Sequence, residues 1–109
     1  MTSPTSRSRD RIRVTDHALE RARERHADLR PMQERDLLRT INREVGAALR
    51  EHRYAKTAPA ELVRPGYDRR QKVKLGRYVW NAALSRVYVI KKVAGEWLVL
   101  TVLDTVHSR

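Results

Sequence analysis

Apolar positions recur at helical spacing in the first half of the chain and at strand spacing in the last third. Between residues 32 and 53, Leu37, Leu38, Ile41, Val45, Ala48 and Leu49 follow one another at steps of one, three and four, lining a single face of a helix. The spacing predicts a helix over Met32 to Arg53, with Pro31 tolerated at a first helical position. Upstream, Ile12-Arg13-Val14 reads as a short extended piece. Thr15 or Asp16 can then accept from the free N–H groups of a first turn, which predicts a helix to about Asp28, ended by Leu29-Arg30-Pro31.

Pro59, Pro65 and Gly66 mark residues 58–68 as a loop, after which the period changes to two. Gln71 to Leu75 and Arg77 to Trp80 form one strand or two around Gly76, and Asn81 to Ser85 turns the chain. Arg86 to Val93 is rich in β-branched residues, and Ala94-Gly95 links it tightly to Glu96 through Leu103, a hairpin signal. Simple alternation in the last run sends Leu98, Leu100 and Val102 one way and Trp97, Val99, Thr101 and Leu103 the other. The expected fold is α+β: two N-terminal helices packed on an antiparallel β-meander of three to four strands. One sheet face packs on the helices, and the other is open or curved around a groove.

A chain of 109 residues, 40% hydrophobic, suits one domain, expected over residues 14–109. Residues 1–13, with Ser, Thr, Pro4 and four Arg, read as a disordered basic tail. The longest apolar run, Leu98 to Leu103, is far short of the roughly 20 residues that span a bilayer, and the N-terminus has no apolar signal core. A cytoplasmic location without membrane partners is therefore expected, and the absence of cysteine agrees with a reducing compartment.

Charge changes the picture. With 24 Lys+Arg against 13 Asp+Glu the net charge is +11, so polyanions are the expected partners. Residues 14–55 are nearly balanced, and Arg35, Arg39, Arg43 and Arg50, interspersed with Glu34, Asp36, Glu44 and Glu51, read as a solvated helix face and not as a binding stripe. Residues 64–92 instead hold Arg64, Arg69, Arg70, Lys72, Lys74, Arg77, Arg86, Lys91 and Lys92 against Asp68 alone. Tyr67, Tyr78, Trp80 and Tyr88 are interleaved with them. Cations for phosphates and rings for unstacked bases together suit single-stranded RNA. The expected contacts are Arg69, Arg70, Lys72, Lys74, Arg77, Tyr78, Trp80, Lys91 and Lys92, joined by Arg25 from the first helix. The other reading makes Trp80 and some of the tyrosines core and the cations a solubility device.

At about 100° per residue, His17, Arg21 and Arg25 lie at roughly 0°, 40° and 80° on the first helix, bordering the apolar arc of Ala18, Leu19, Ala22 and Leu29. Histidine can exchange a proton near neutral pH, and arginine offers a planar fork to phosphate oxygens. The same three residues could instead pair with Glu20, Glu24 and Asp28 on a solvated helix. His26 falls within the apolar arc and reads as a packed side chain. No H-x-x-x-H pair, cysteine or compact carboxylate cluster is present, so no metal or other cofactor is expected. Walker, G-x-S-x-G and dinucleotide fingerprints are also absent, which argues against nucleotide hydrolases, serine hydrolases and Rossmann enzymes.

Two helices followed by a meander, with VTDHALERARER on the first helix and WLVLTVL as the last strand, resemble the small RelE-like and barnase-like ribonuclease toxins over about residues 12–104. The His17-x-x-x-Arg21-x-x-x-Arg25 pattern is similar to the branch found in phage and bacterial toxin systems. The resemblance implies metal-independent RNA cleavage, in which the ribose 2′-hydroxyl attacks the adjacent phosphate. On that reading His17 is the proton carrier and Arg21 a phosphate ligand. Arg86 and Tyr88, on one face of the second long strand, and Thr101, on a neighbouring strand, are expected to line the sheet side of the groove, Arg86 on phosphate and Tyr88 and Thr101 as orienting groups. A shift of strand register would invert that facing. The resemblance also implies RNA or the ribosome as target and an antitoxin or other inhibitor as protein partner. The chain ends DTVHSR, without the tyrosine that many ribosome-dependent relatives carry after the last strand. A nuclease of free RNA and a non-catalytic RNA- or ribosome-binding protein are therefore both kept, while a DNA-binding regulator would call for a basic recognition helix, which neither expected helix supplies.

Overall fold

The computed structural model describes residues 12–57, 59, 61–62 and 76–105. Its elements in chain order are β1 (Ile12–Val14), α1 (Asp16–Arg25), α2 (Glu34–Arg50), β2 (Tyr54–Ala55), β3 (Gly76–Trp80), β4 (Arg86–Val93) and β5 (Glu96–Asp104). The expected strand at Gln71 to Leu75 and all but the end of the basic tail lie outside the described residues. Ile12 and Arg13, the end of that tail, belong to β1.

The protein is α+β, as the patterning implies, but the sheet is not a pure antiparallel meander. Five strands run in the order β1-β5-β4-β3-β2, with β1 parallel to β5 and every other pair antiparallel. Both edge strands are only two or three residues long, too short to carry a recognisable alternation.

Each helix ends where a local bond network stops it. Thr15 caps α1, its Oγ1 accepting from the Ala18 N–H at 3.0 Å and donating to the Val99 carbonyl at 3.1 Å, so the cap also docks the helix on β5. α2 ends three residues earlier than its periodicity predicts. His52 takes a left-handed conformation (φ 59°), the His52 N–H donates to the Leu49 carbonyl, and the Arg53 N–H donates to the Ala48 carbonyl at 2.8 Å. This is the double closure of a Schellman motif, with histidine in the place usually taken by glycine or asparagine. The hairpin between β4 and β5 turns on Ala94 (φ 50°) and Gly95 (φ 80°), the two positive angles of a type I′ turn.

The predicted stripe of α2 faces the core. Leu37, Ile41, Val45 and Ala48 are fully buried with Ala18, Ala22 and Leu29 against Val79, Tyr88, Ile90, Val99 and Val102. Burial of a side chain such as Ile41 contributes about 1.5–3 kcal/mol. The opposite sheet face is not an open groove throughout: Leu62, Tyr78, Val87, Val89 and Leu103 form a second buried cluster, with Trp80 and Leu100 partly buried beside it.

One irregularity decides which residues face which layer. Val89 pairs with Thr101, but Ile90 pairs with Val99, leaving Leu100 as an extra residue on β5. Val99 and Val102 therefore both face the helices, while Leu100 and Leu103 face the second cluster. The uninterrupted alternation read from sequence is corrected by this bulge.

Candidate nucleic-acid interface

β1 pairs with β5 only as far as Val99, so beyond that point α1 takes over the backbone groups of the β5 edge. Thr15 Oγ1 reaches the Val99 carbonyl and also that of Leu100 at 3.3 Å. Arg25 Nη1 donates to the Val102 carbonyl at 3.0 Å, and His26 Nε2 lies 3.1 Å from the Leu103 carbonyl. A carbonyl can only accept, so His26 carries its proton on Nε2 in this contact. His26 is 4% exposed, in keeping with a packed side chain. These bonds cover an edge that would otherwise be open and set the helix against it.

The His17–Arg21–Arg25 stripe is thereby held beside the bulged end of β5. His17 and Arg25 are exposed and Arg21 is half-buried. Arg21 Nη1 lies 2.6 Å from Glu24 Oε1, so one of the predicted phosphate ligands already has a carboxylate partner one turn away.

The other predicted catalytic residues do not join this stripe. Arg86 is 6% exposed and wholly engaged: its Nε donates to Glu44 Oε1 at 2.9 Å, Nη2 to Glu44 Oε2 at 2.7 Å, and Nη1 to both Asp28 oxygens at 3.0 and 3.1 Å. The Tyr88 hydroxyl donates to Glu44 Oε1. Burial would raise the Glu44 pKa, but hydrogen bonds from Arg86 and Tyr88 and the guanidinium charge outweigh it and hold the carboxyl below its ordinary value. Burial pushes the Tyr88 phenol well above its ordinary value, and the Glu44 charge adds to that. The phenol is thus a fixed donor, and the guanidinium, though burial disfavours its charge, is held more firmly protonated by its two carboxylates. The three groups bind α2 to β4, with Asp28 adding the segment after α1.

Thr101 pairs with Val89 and so shares the face of the second cluster, opposite Arg86 and Tyr88. The expectation that Arg86, Tyr88 and Thr101 line one groove is corrected by the bulge and by the Glu44 network. The strand-half residues expected to touch RNA are also dispersed. Tyr78 is 4% exposed in the second cluster and Trp80 is partly buried beside it. Arg77 pairs with Ile90 on the helix face and donates to its neighbour's carbonyl, Gly76, at 2.9 Å. Lys91 is half-buried, and the exposed Lys92 has its Nζ 5.1 Å from the centre of the Trp97 ring. Arg69, Arg70, Lys72 and Lys74 lie outside the described residues.

Sequence reasoning missed Glu44, Asp28 and Asn81. Glu44 carried a signal: it falls within the apolar arc of α2, and a carboxylate at a buried position demands a cation. Asn81 Oδ1 accepts from the Ser85 and Arg86 N–H groups at 2.9 and 3.1 Å, closing the turn that delivers Arg86 to the network. Among the described residues no three His, Asp or Glu side chains converge to hold a metal ion, and no helix is long and apolar enough to cross a membrane. No protein-family model, curated protein or solved structure matches the chain.

Proposed function

We propose that this protein binds RNA and cuts it without a metal ion, with the α1 stripe as the reacting edge. The observation that carries the reading is the placement of His17, Arg21 and Arg25 on one solvent-facing stripe of a helix bonded along the β5 edge. In the proposed reaction the ribose 2′-oxygen bonds to phosphorus, the bond from phosphorus to the 5′-oxygen breaks, and one proton leaves the former while one arrives at the latter. His17 carries a proton, and Arg21 and Arg25 neutralise phosphoryl charge. Arg86 and Tyr88 support the site from behind by tying α2 to β4. The resemblance to RelE-like and barnase-like toxins supports the same chemistry and extends the proposal to a cytoplasmic toxin module with an inhibitor as protein partner.

Purified protein incubated with total RNA in EDTA tests this, with translating ribosomes as a second substrate. Cleavage leaving 2′,3′-cyclic phosphate is expected, lowered about 10²- to 10⁴-fold by His17→Ala and abolished by a 2′-deoxy nucleotide at the cut site. A second reading, RNA binding without cleavage, is favoured by the engagement of Arg86 and Tyr88 with Glu44, which leaves the stripe with His17 as its one proton carrier. Tight binding with intact RNA in both substrates would establish it.

A further inference from the structure

The linear charge balance of α2 does not survive folding. At about 100° per residue, Arg35, Arg39, Arg43 and Arg50 stand at roughly 0°, 40°, 80° and 60°, against roughly 140° to 280° for the buried Leu37, Thr40, Ile41, Val45 and Ala48. All four arginines are exposed and point away from the core. Of the four acidic residues interspersed with them in sequence, Glu44 is drawn inward to Arg86 and Tyr88, and Glu51 pairs with Arg53. Glu34 and Asp36 stay in the first turn, where the helix dipole favours them. None of the four arginines forms an ion pair or side-chain hydrogen bond among the described residues. Arg50 folds back along the helix, its Nη1 3.3 Å from where a Gly46 Cβ would stand.

We infer that this face of α2 is a docking track for the sugar-phosphate backbone of RNA, separate from the β5 edge. The stripe runs about 22 Å at 1.5 Å per residue, long enough to meet several consecutive phosphates. Solvated faces normally mix both signs, whereas here Glu44 and Glu51 are drawn to other partners and cations predominate, with the exposed Asp36 bordering the stripe at its first turn. All four cations are arginines, whose planar forks match phosphate oxygens and are less strongly hydrated than an ammonium. The inference rests on RNA as the ligand of the proposed function and adds a second surface to it.

The test combines Arg35→Gln, Arg39→Gln, Arg43→Gln and Arg50→Gln in the full chain, glutamine being a good helix former that removes the charge. Binding of a single-stranded RNA oligomer is measured across salt concentrations, with the unfolding midpoint as a control expected to stay unchanged. The slope of log K against log[salt] should become shallower by about 0.7 for each phosphate that is no longer neutralised, so by as much as about 2.8 for four. The matching quadruple lysine variant should keep the slope, because its charge is unchanged, yet bind more weakly. A glutamine variant with the wild-type slope would overturn the track while leaving RNA binding standing; a wild-type protein that binds no RNA would overturn both. If polyglutamate of matched charge binds the stripe as tightly as RNA does, the surface belongs to an acidic protein and the inference fails.

Discussion

α1 and α2 carry nearly balanced charge in sequence and opposite charge economies in space. On α1, Arg21 meets Glu24, Arg23 donates to the Met32 carbonyl at 2.9 Å, and Arg25 donates to the Val102 carbonyl. Arg30 folds back to the Arg23 and Glu24 carbonyls, at 2.9 and 3.1 Å. On α2 the buried carboxylate is consumed by a strand arginine, and the outward arginines keep none. Local charge counts thus report composition, while available charge depends on which side chains the core withdraws.

This contrast between the helices depends most on the Glu44–Arg86 pair, and disrupting that pair should have the largest effect. Arg86→Ala leaves a largely buried carboxylate uncompensated and should destabilise the fold by about 3–5 kcal/mol. Urea unfolding measures this. Arg86→Met combined with Glu44→Leu and Tyr88→Phe should recover much of the loss, since it removes both charges, nearly keeps their volume and leaves no buried hydroxyl without its acceptor. A triple variant no better than the single one would show that the network acts through more than its charges.

Titration probes the same network. The folded-state pKa of Glu44 is depressed below 4.5, so its contribution is present above that value and is lost as pH falls through the lower folded value. Glu44→Gln should therefore lose less stability than wild type on acidification below about pH 4.5. Tyr88 has the opposite sign: its raised value makes its contribution complete below 10.0 and lost as pH climbs through the folded pKa, so Tyr88→Phe should flatten the alkaline limb. Parallel curves for variant and wild type at both ends would contradict the network.

A smaller effect separates the helices directly. Arg25→Met removes the donor to a β5 edge carbonyl and should cost about 1 kcal/mol, whereas Arg39→Met on α2 should stay within about 0.5 kcal/mol. Equal costs would mean that α2's outward arginines are structural too.

How much of the molecule is legible in its sequence follows from range. The α2 core stripe and the Ala94-Gly95 hairpin depend on neighbours within a few residues, and both are readable. The facing of β5 is not, because one extra residue at Leu100 inverts an alternation without altering composition. The parallel β1 pairing joins Ile12 to Trp97 across nearly the whole chain, and three residues hold no pattern that announces it. For the candidate site, the His17–Arg21–Arg25 stripe is visible as helical spacing. The fate of Arg86 is not, since it turns on Glu44, 42 residues earlier.

The smallest stability effect is the most informative about function. Arg21 and Glu24 form a surface pair, 30% and 53% exposed in their side chains, where solvent screening leaves little net stabilisation. Glu24→Gln should shift stability by less than about 0.5 kcal/mol. It also frees the Arg21 guanidinium and makes this stretch of α1 resemble the outward face of α2. If Arg21 contacts phosphate, RNA affinity should rise several-fold and its salt dependence should steepen, because one more cation becomes available to release counterions. An Arg21→Gln background should cancel the gain, since the freed group is then missing. Affinity that rises equally in both backgrounds would trace the effect to net charge alone and remove Arg21 from the site.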